Sequence, residues 1–151
     1  DSLPLLAGNN DRGFPMRDSL KAGVAGSATI AIDRDRTIDF MGEKARVYAT
    51  PMLVRDIEIA CRDLLGQHLD AGEDSVGTRV EVDHLAATLM GMQVDLDVTI
   101  TEVNGRAVSF EVKGRDNVEP ICRGRHQRFV VDVATTEKRL ASKAAKAGLA
   151  G

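Results

Sequence analysis

Hydrophobic residues recur at helical spacing between Thr50 and Leu69, the longest such pattern before the C-terminal tail. At about 100° per residue, one side of this predicted helix is apolar. Its members are Leu53, Val54, Ile57, Cys61, Leu64, Leu65, His68 and Leu69. The opposite side is polar, with Arg55, Asp56, Arg62, Asp63 and Gln67. Thr50 suits the capping position and Pro51 the first helical position, so the pattern predicts a helix from Thr50 to about Leu69.

Glu58 does not follow this division of the helix. It falls inside the apolar arc, between Leu65 and Leu69 in angle. A carboxylate there loses hydration unless a polar group meets it, and an apolar pocket is where its chemistry can be tuned. Two interpretations remain: a functional carboxylate, or an edge residue that reaches past Leu69 to solvent.

The hydrophobic period changes from helical to alternating on both sides of this helix, which indicates strands. Before the helix, Ala28, Ile30 and Ile32 alternate with the small residues Ser27, Thr29 and Ala31. After it come alternating runs at Val80–Ala86, Met92–Ile100, Val108–Val112 and Ile121–Val133. Asn104-Gly105 predicts a hairpin, because both residues tolerate positive φ. The inward face of the last run changes near Arg128, which predicts a bulge there.

This order of elements predicts an α+β domain. A helix with one apolar stripe needs a surface to cover, and a curved antiparallel sheet of four consecutive strands plus the first strand supplies it. We expect this domain to span residues 26–134. Residues 1–25 read as a disordered or vector-derived leader, with Met16 as a candidate start. The Ala- and Lys-rich residues 135–151 read as an exposed terminal helix or tail.

Composition narrows the functional classes. The 151 residues carry a net charge of −3, which argues against general nucleic-acid binding. No apolar run approaches membrane-spanning length and no secretory signal is visible, so we expect a soluble cytoplasmic protein. Cys61 and Cys122 form no metal-binding cluster, and we expect them to stay reduced and unbridged.

Several short motifs occur together in an ordered, moderately specific series. They are Ala49-Thr50-Pro51, Glu58, Asp74-Ser75-Val76-Gly77-Thr78, Val82-Asp83-His84-Leu85-Ala86-Ala87-Thr88 and Gly124-Arg125-His126-Gln127-Arg128. In this order the chain resembles the hot-dog-fold thioesterases, and among them the fluoroacetyl-CoA thioesterase-like branch. The resemblance implies a hot-dog fold, in which the sheet wraps around the long helix.

The same resemblance implies hydrolysis of an acyl-CoA thioester at a site near a homodimer interface, with no metal and no cofactor. The family's threonine, glutamate and histidine match Thr50, Glu58 and His84. Its glycine amide, which contacts the thioester, matches Gly77. We expect Thr78 and Arg128 to assist substrate binding, since an arginine here suits CoA phosphates or a carboxylate across the dimer. A higher homo-oligomer is also compatible.

Each of these residues has a plainer structural interpretation. Thr50 could only cap the helix, and His84, on the apolar Val80–Val82–Ala86 face, could be a satisfied core histidine. His126 and Arg128 could lie on a solvated strand face. If Thr50 and Glu58 shared one straight helix, they would stand roughly 12 Å apart along its axis. Either the helix begins after Thr50, or the two act on different sides of the substrate, or one comes from a partner subunit.

The segment before Thr50 departs from the family. Residues 42–48 are charged, and no phenylalanine lid aligns with them, so we expect an ordinary small or medium acyl-CoA rather than fluoroacetyl selectivity. Two alternatives stay open: a hot-dog hydratase or dehydratase acting on enoyl or 3-hydroxyacyl thioesters, and a non-catalytic acyl-ligand binder.

Overall fold

A computed structural model describes residues 16–149 of the chain. One five-stranded antiparallel sheet faces one long helix. The strands are β1 (Ala25–Ala31), β2 (Glu73–His84), β3 (Gln93–Asn104), β4 (Ala107–Arg115) and β5 (Pro120–Asp132). The helices are α1 (Thr50–Gly66) and α2 (Val133–Lys146), with short 3₁₀ turns at Arg34–Arg36 and Glu43–Ala45. The predicted α+β architecture is confirmed.

The sheet order is β1-β3-β4-β5-β2, so β1 and β2 are its edge strands. The last three strands form a meander, while β2 follows the helix in sequence but pairs with β5 at the far edge. The β3–β4 hairpin turns at Gly105 and Arg106, where Gly105 has a φ of 61°. This confirms the predicted hairpin, since glycine adopts that conformation without the usual steric cost.

The core lies between the apolar side of α1 and the inward side of the sheet. Alternate residues of β3 and β4 point into it, including Val94, Leu96, Val98, Ile100, Val108, Phe110 and Val112. From α1 it receives Leu53, Ile57, Ala60, Cys61, Leu64 and Leu65. Cys61 and Cys122 are buried free thiols, as predicted. Burial raises the pKa of Cys61 to about 12 and that of Cys122 to about 11.

Four boundary predictions need correction. Helix α1 ends at Gly66 rather than Leu69, because the Gln67 N–H already turns back to the carbonyls of Leu64 and Leu65. Its cap position is Ala49, without a side-chain hydrogen bond, so Thr50 is a helical residue and not the cap. The bulge lies in β2, where the pairing with β5 shifts between Gly77 and Arg79. In β5 itself, the pairing with β4 runs without a shift past Arg128.

The fourth correction concerns the leader. Met16 and Leu20 are buried in the core, so residues 16–25 belong to the packed domain. Residues 1–15 lie outside the described residues. The predicted C-terminal helix is confirmed as α2, which Asp132 caps through the Thr135 N–H and which buries none of its residues. Within residues 16–149, neither helix has the length and apolar character needed to cross a bilayer.

Candidate active site

Two of the predicted site residues meet where α1 begins and β2 ends. Thr50 is the first residue of α1 and His84 the last of β2. The Thr50 Oγ1 atom lies 2.8 Å from His84 Nδ1, within hydrogen-bond distance. The threonine hydroxyl is free to make this bond because it does not cap the helix. A hydroxyl paired with an imidazole nitrogen is an arrangement that can move a proton.

The other imidazole nitrogen of His84 is unpartnered. Nε2 is buried yet has no hydrogen-bond partner. Such a group costs free energy in a folded chain, and active sites are one place where that cost is retained. Burial lowers the pKa of His84 below its ordinary value. The imidazole is therefore neutral near pH 7 and available as a proton acceptor.

An open cleft of about 460 Å³ runs beside this pair. Thr50, His84 and Tyr48 contribute to its wall. The remaining lining is mostly apolar, with Ile38, Phe40, Val47, Pro51, Leu85 and Ala86. Phe40 is 79% exposed. The Thr50–His84 pair thus lies at the border of a surface suited to an aliphatic group.

Glu58 lies in a second cluster, on the half-exposed flank of α1. Its side chain is 40% exposed, and its Oε2 atom stands 3.7 Å from an Nη atom of Arg128, whose side chain is 5% exposed. A Cβ atom on Gly77 would lie 2.6 Å from Glu58 Oε2. Only glycine allows the carboxylate to approach the backbone of β2 this closely.

Arg128 is held by a buried hydrogen-bond network. Its Nε donates to Ser75 Oγ and one Nη to the Ser75 carbonyl, each at 2.7 Å. The His126 Nδ1–H donates to the Arg79 carbonyl at 2.8 Å, so His126 Nε2 accepts from Arg128 at 3.2 Å. This requires a neutral imidazole, and burial, followed by the Arg128 charge, lowers the pKa of His126. The solvated-face interpretation of His126 and Arg128 is therefore wrong, since both are buried.

The two clusters occupy different stretches of the same helix. Because α1 is continuous from Thr50, the eight residues to Glu58 span about 12 Å along the axis. One of the three explanations for this separation, a helix that begins after Thr50, is excluded. Glu58 and His84 do not meet within one chain, since Glu58 faces Arg128 and His84 binds Thr50.

Thr78 is exposed and lies at the bulge of β2, where its hydroxyl donates to the Gln127 carbonyl at 3.1 Å. Its side chain therefore stabilises the strand irregularity next to Gly77. In the described part of the chain, no three histidine, cysteine, aspartate or glutamate side chains converge in a way that could hold a metal ion.

The sequence pattern missed a buried carboxylate on α1. Asp56, assigned to the polar side, is 2% exposed. It accepts hydrogen bonds from Arg36 Nε at 2.9 Å, from an Arg36 Nη atom at 3.2 Å, and from the Tyr48 hydroxyl. Helical periodicity could not reveal this, because Arg36 and Tyr48 come from a preceding segment without regular spacing. The signals available in the sequence for a partner of Asp56 were the charged run 33–36 and the single tyrosine that follows it.

Comparison with known proteins places this chain among thioesterases. Residues 32–134 match the family described as fluoroacetyl-CoA-specific thioesterase (FlK). The chain is 28% identical over 135 residues to the fluoroacetyl-CoA thioesterase of Streptantibioticus cattleyicolor, covering 85% of this chain and 97% of that protein. A substituted form of a fluoroacetyl-CoA-specific thioesterase, solved with fluoroacetate and CoA, superposes with a TM-score of 0.72 at 28% identity over 78% of this chain and 99% of that one.

A hot-dog-like protein from Thermanaerovibrio acidaminovorans also superposes on this fold. Its TM-score is 0.75 at 25% identity, over 90% of this chain and 96% of that one. The five-stranded sheet and long helix described above are thus a hot-dog fold, as the sequence motifs predicted.

Proposed function

We propose that this chain, which belongs to the fluoroacetyl-CoA-specific thioesterase family and is an acyl-CoA thioester hydrolase, cleaves small or medium acyl-CoA thioesters with Thr50, Glu58 and His84. The observation that carries this site assignment is the 2.8 Å pair between the Thr50 hydroxyl and His84 at the border of an apolar cleft. The neutral imidazole and its unpartnered Nε2 atom support a role in proton transfer.

Thioester hydrolysis needs a nucleophile, a proton acceptor and a group that stabilises the developing oxyanion. Glu58 supplies the first, either by deprotonating the water that attacks the carbonyl carbon or by attacking that carbon itself to form a mixed anhydride. In both paths the carbonyl carbon–sulfur bond breaks, and the CoA thiolate takes up a proton and leaves as the thiol. On the anhydride path, water then attacks the anhydride, which releases the carboxylic acid and restores the Glu58 carboxylate. His84, with its Nδ1 held by Thr50, carries the proton from water to the thiolate. The backbone N–H of Gly77 is the proposed oxyanion donor, and the bulge beside it supports this, since bulges disrupt the local ladder.

Arg128 and Thr78 complete the proposed substrate-binding side. The Arg128 guanidinium is occupied by Ser75 and His126 and faces Glu58, so its contribution comes through the carboxylate, which it holds beside Gly77. Thr78 fixes the bulge that presents the Gly77 backbone. This differs from a direct contact with CoA phosphates, for which a freely exposed guanidinium would be better suited.

A homodimer, or a higher homo-oligomer built on it, would bring the two clusters together. Strand β2 is an edge strand of 12 residues, and unpaired edges are a common site of pairing between chains. A two-fold axis near Val80 and Glu81 would pair two β2 strands in antiparallel fashion, with residue 77 of one opposite residue 84 of the other. Glu58 and Gly77 of one subunit would then lie near Thr50 and His84 of the partner subunit.

The substrate proposal follows from the cleft. Its walls are largely aliphatic, and the segment above it carries an exposed ion-pair group in which Glu43 binds Arg34 and Arg46. A charged surface segment is poorly suited to seal a small fluorinated acyl group from water. An aliphatic acyl chain gains from burial in the cleft at about 0.8 kcal/mol for each methylene group. CoA thioesters and two reduced cysteines fit a cytoplasmic location.

The direct test is release of free thiol from a panel of straight-chain acyl-CoAs, from acetyl to decanoyl, with fluoroacetyl-CoA included. We expect turnover that rises with chain length and then falls when the cleft is full, and no preference for fluoroacetyl-CoA over acetyl-CoA. Hydration of crotonyl-CoA without thiol release would instead establish the hydratase alternative. Saturable binding without either product would establish a non-catalytic binder.

A further inference from the structure

The segment formed by residues 36–48, here termed the strap, crosses from β1 to the start of α1 and forms one wall of the cleft. Its two ends are joined: Thr37 bridges to Tyr48, the Ile38 N–H donates to the Val47 carbonyl, and the Ala49 N–H donates to the Arg36 carbonyl. The strap is therefore a closed loop that enters and leaves at one place. That place is above Asp56, one turn and a half into α1.

Asp56 ties both ends of the strap to the helix. At one end of the strap, Arg36 donates a hydrogen bond to each oxygen of the Asp56 carboxylate. At the other end, the Tyr48 hydroxyl donates to one of these oxygens. The carboxylate is buried, whereas Arg36 keeps 22% of its side chain exposed and also binds Asp33. Burial, followed by the bond to Asp56, raises the pKa of Tyr48, so the phenol remains a hydrogen-bond donor at all ordinary pH values.

The Tyr48 ring is also in contact with the proposed catalytic histidine. The two rings meet edge to face, with centroids 6.2 Å apart and an interplanar angle of 82°. Cys122 of β5 is paired with His84 in the strand ladder. The imidazole therefore has the phenol ring at its edge, the Thr50 hydroxyl at its Nδ1 and Cys122 on the neighbouring strand.

We propose that Arg36, Asp56 and Tyr48 form a positioning network that holds the Tyr48 ring against His84, and so fixes the His84 imidazole for catalysis and excludes water from it. None of the three touches the reacting atoms, so each is a positioning residue. The inference rests on the proposed role of His84. It follows from the geometry: the only tyrosine of the chain has its hydroxyl on a buried carboxylate and its ring on the histidine.

The network has a consequence for the pH dependence of turnover. The titratable groups facing His84 are Tyr48 from the strap and Cys122 from β5, and Thr50 is the non-titratable contact from α1. Burial raises the pKa of the phenol and of the thiol, so both stay uncharged. Burial alone therefore lowers the pKa of His84. If the ring loosens and water enters, the acid limb of kcat/KM should move up toward the ordinary histidine value of about 6.5.

The test uses Tyr48→Phe, Asp56→Leu and the double variant, assayed by thiol release across pH. Tyr48→Phe keeps the ring and removes only its tether, so it is expected to fold. We expect each single variant to lower kcat roughly 5- to 20-fold, because small displacements of a catalytic group are costly. The double variant should be no slower than the slower single variant, since both remove one tether. The acid limb should shift upward in all three.

Thr88→Val is the matched control. It also removes a buried hydroxyl–carboxylate hydrogen bond, the 2.9 Å bond from Thr88 to Asp116, and it keeps the Thr88 carbonyl that accepts from the Tyr48 N–H at 2.8 Å. A purely structural role predicts that all variants lose melting temperature as this control does, with kcat and the acid limb unchanged. That result, or additive losses in the double variant, would overturn the proposal. The proposed function would survive either outcome provided that the wild-type protein releases thiol and His84→Ala does not.

Discussion

The two ends of the site differ in how completely their polar groups are paired. In the Glu58 cluster, the Arg128 guanidinium donates to Ser75 and His126, and among the described residues no buried side-chain nitrogen or oxygen of this cluster lacks a hydrogen-bond partner. At the Thr50 cleft, His84 has one paired nitrogen and one buried, unpaired nitrogen. The first region is charged, and its buried polar atoms have hydrogen-bond partners. The second region is apolar and contains a buried nitrogen without a partner. A satisfied network holds a group in place, whereas an unsatisfied atom is free to bind something else.

This difference suggests that the Glu58 cluster and the Thr50 cleft have different roles. The Glu58 cluster holds a carboxylate against a backbone that lacks a Cβ atom, where we propose that the carbonyl is attacked. The Thr50 cleft has a neutral imidazole beside the apolar surface that we propose for the acyl chain. Neither region contains a complete set of groups for thioester hydrolysis. Substitutions in the two regions can show whether each is needed, whether they come from different subunits, and how each responds to acid.

The largest effect is expected when either region loses its proposed reactive group. Glu58→Gln and His84→Ala should each lower kcat by about 100- to 10,000-fold, the usual contribution of acid–base groups, while substrate binding persists. Asp63→Asn, which removes an exposed carboxylate from the same helix, is the matched control and should keep the wild-type rate. Rates are read by thiol release, and stability by thermal unfolding. Near-normal rates in both variants would refute the site assignment, whatever their melting temperatures.

Gly77→Ala should separate geometry from stability in the Glu58 cluster. The added methyl group would meet Glu58 Oε2 at 2.6 Å, but this atom ends a flexible, half-exposed side chain that can move aside. The fold should therefore survive with a melting temperature within a few degrees of wild type. The displaced carboxylate and crowded amide should lower kcat on the order of 100-fold. The suitable control is Gly66→Ala, in the exposed last turn of α1. Gly72→Ala is unsuitable, because Gly72 has a φ of 86° and an added side chain would strain the backbone there.

Subunit mixing tests whether the two regions belong to one site. A heterodimer with Glu58→Gln in one chain and His84→Ala in the other can be purified with two different affinity tags. If Glu58 acts with His84 of the partner subunit, one of the two sites is intact, and about half of the wild-type activity should return. If both residues act within one chain, each site keeps one defect and the heterodimer stays as inactive as its parents. A monomer of 16.2 kDa in light scattering would exclude the dimer altogether.

Sequence periodicity anticipated the part of the site that local spacing controls. Glu58 stood out because helical spacing places it among apolar residues, and the structure finds it on the half-exposed flank of α1. The sheet and its hairpin were also predictable from alternation and from Asn104-Gly105. The assignment of Thr50 and His84 to one site came from the family resemblance, since spacing alone favoured a helix cap for Thr50.

The buried polar groups could not be predicted in the same way. His126 and Arg128 alternate correctly as inward residues of β5, but polar side chains at inward positions look like a solvated face. Their burial depends on Ser75 and the Arg79 carbonyl, on a strand about 50 residues earlier. Asp56 likewise depends on Arg36 and Tyr48 in the irregular strap. Periodicity reports which side of an element a residue occupies, and not whether a distant partner compensates its desolvation.

The smallest predicted effect is on acid stability, and it distinguishes the two regions by their histidines. Burial lowers the pKa of both His84 and His126 in the folded chain. Between the ordinary value of about 6.5 and these lower values, the unfolded chain binds more protons, so stability falls as pH falls through this window. Each unit of pKa difference corresponds to about 1.4 kcal/mol.

Protonation of His126 also removes the acceptor that Arg128 uses, whereas protonation of His84 still allows a bond to the Thr50 oxygen. We therefore expect the melting temperature to decline between pH 7 and 5, and His126→Gln to flatten that decline more than His84→Gln. Equal slopes in the two variants would contradict the view that the Arg128 network is the more acid-sensitive region.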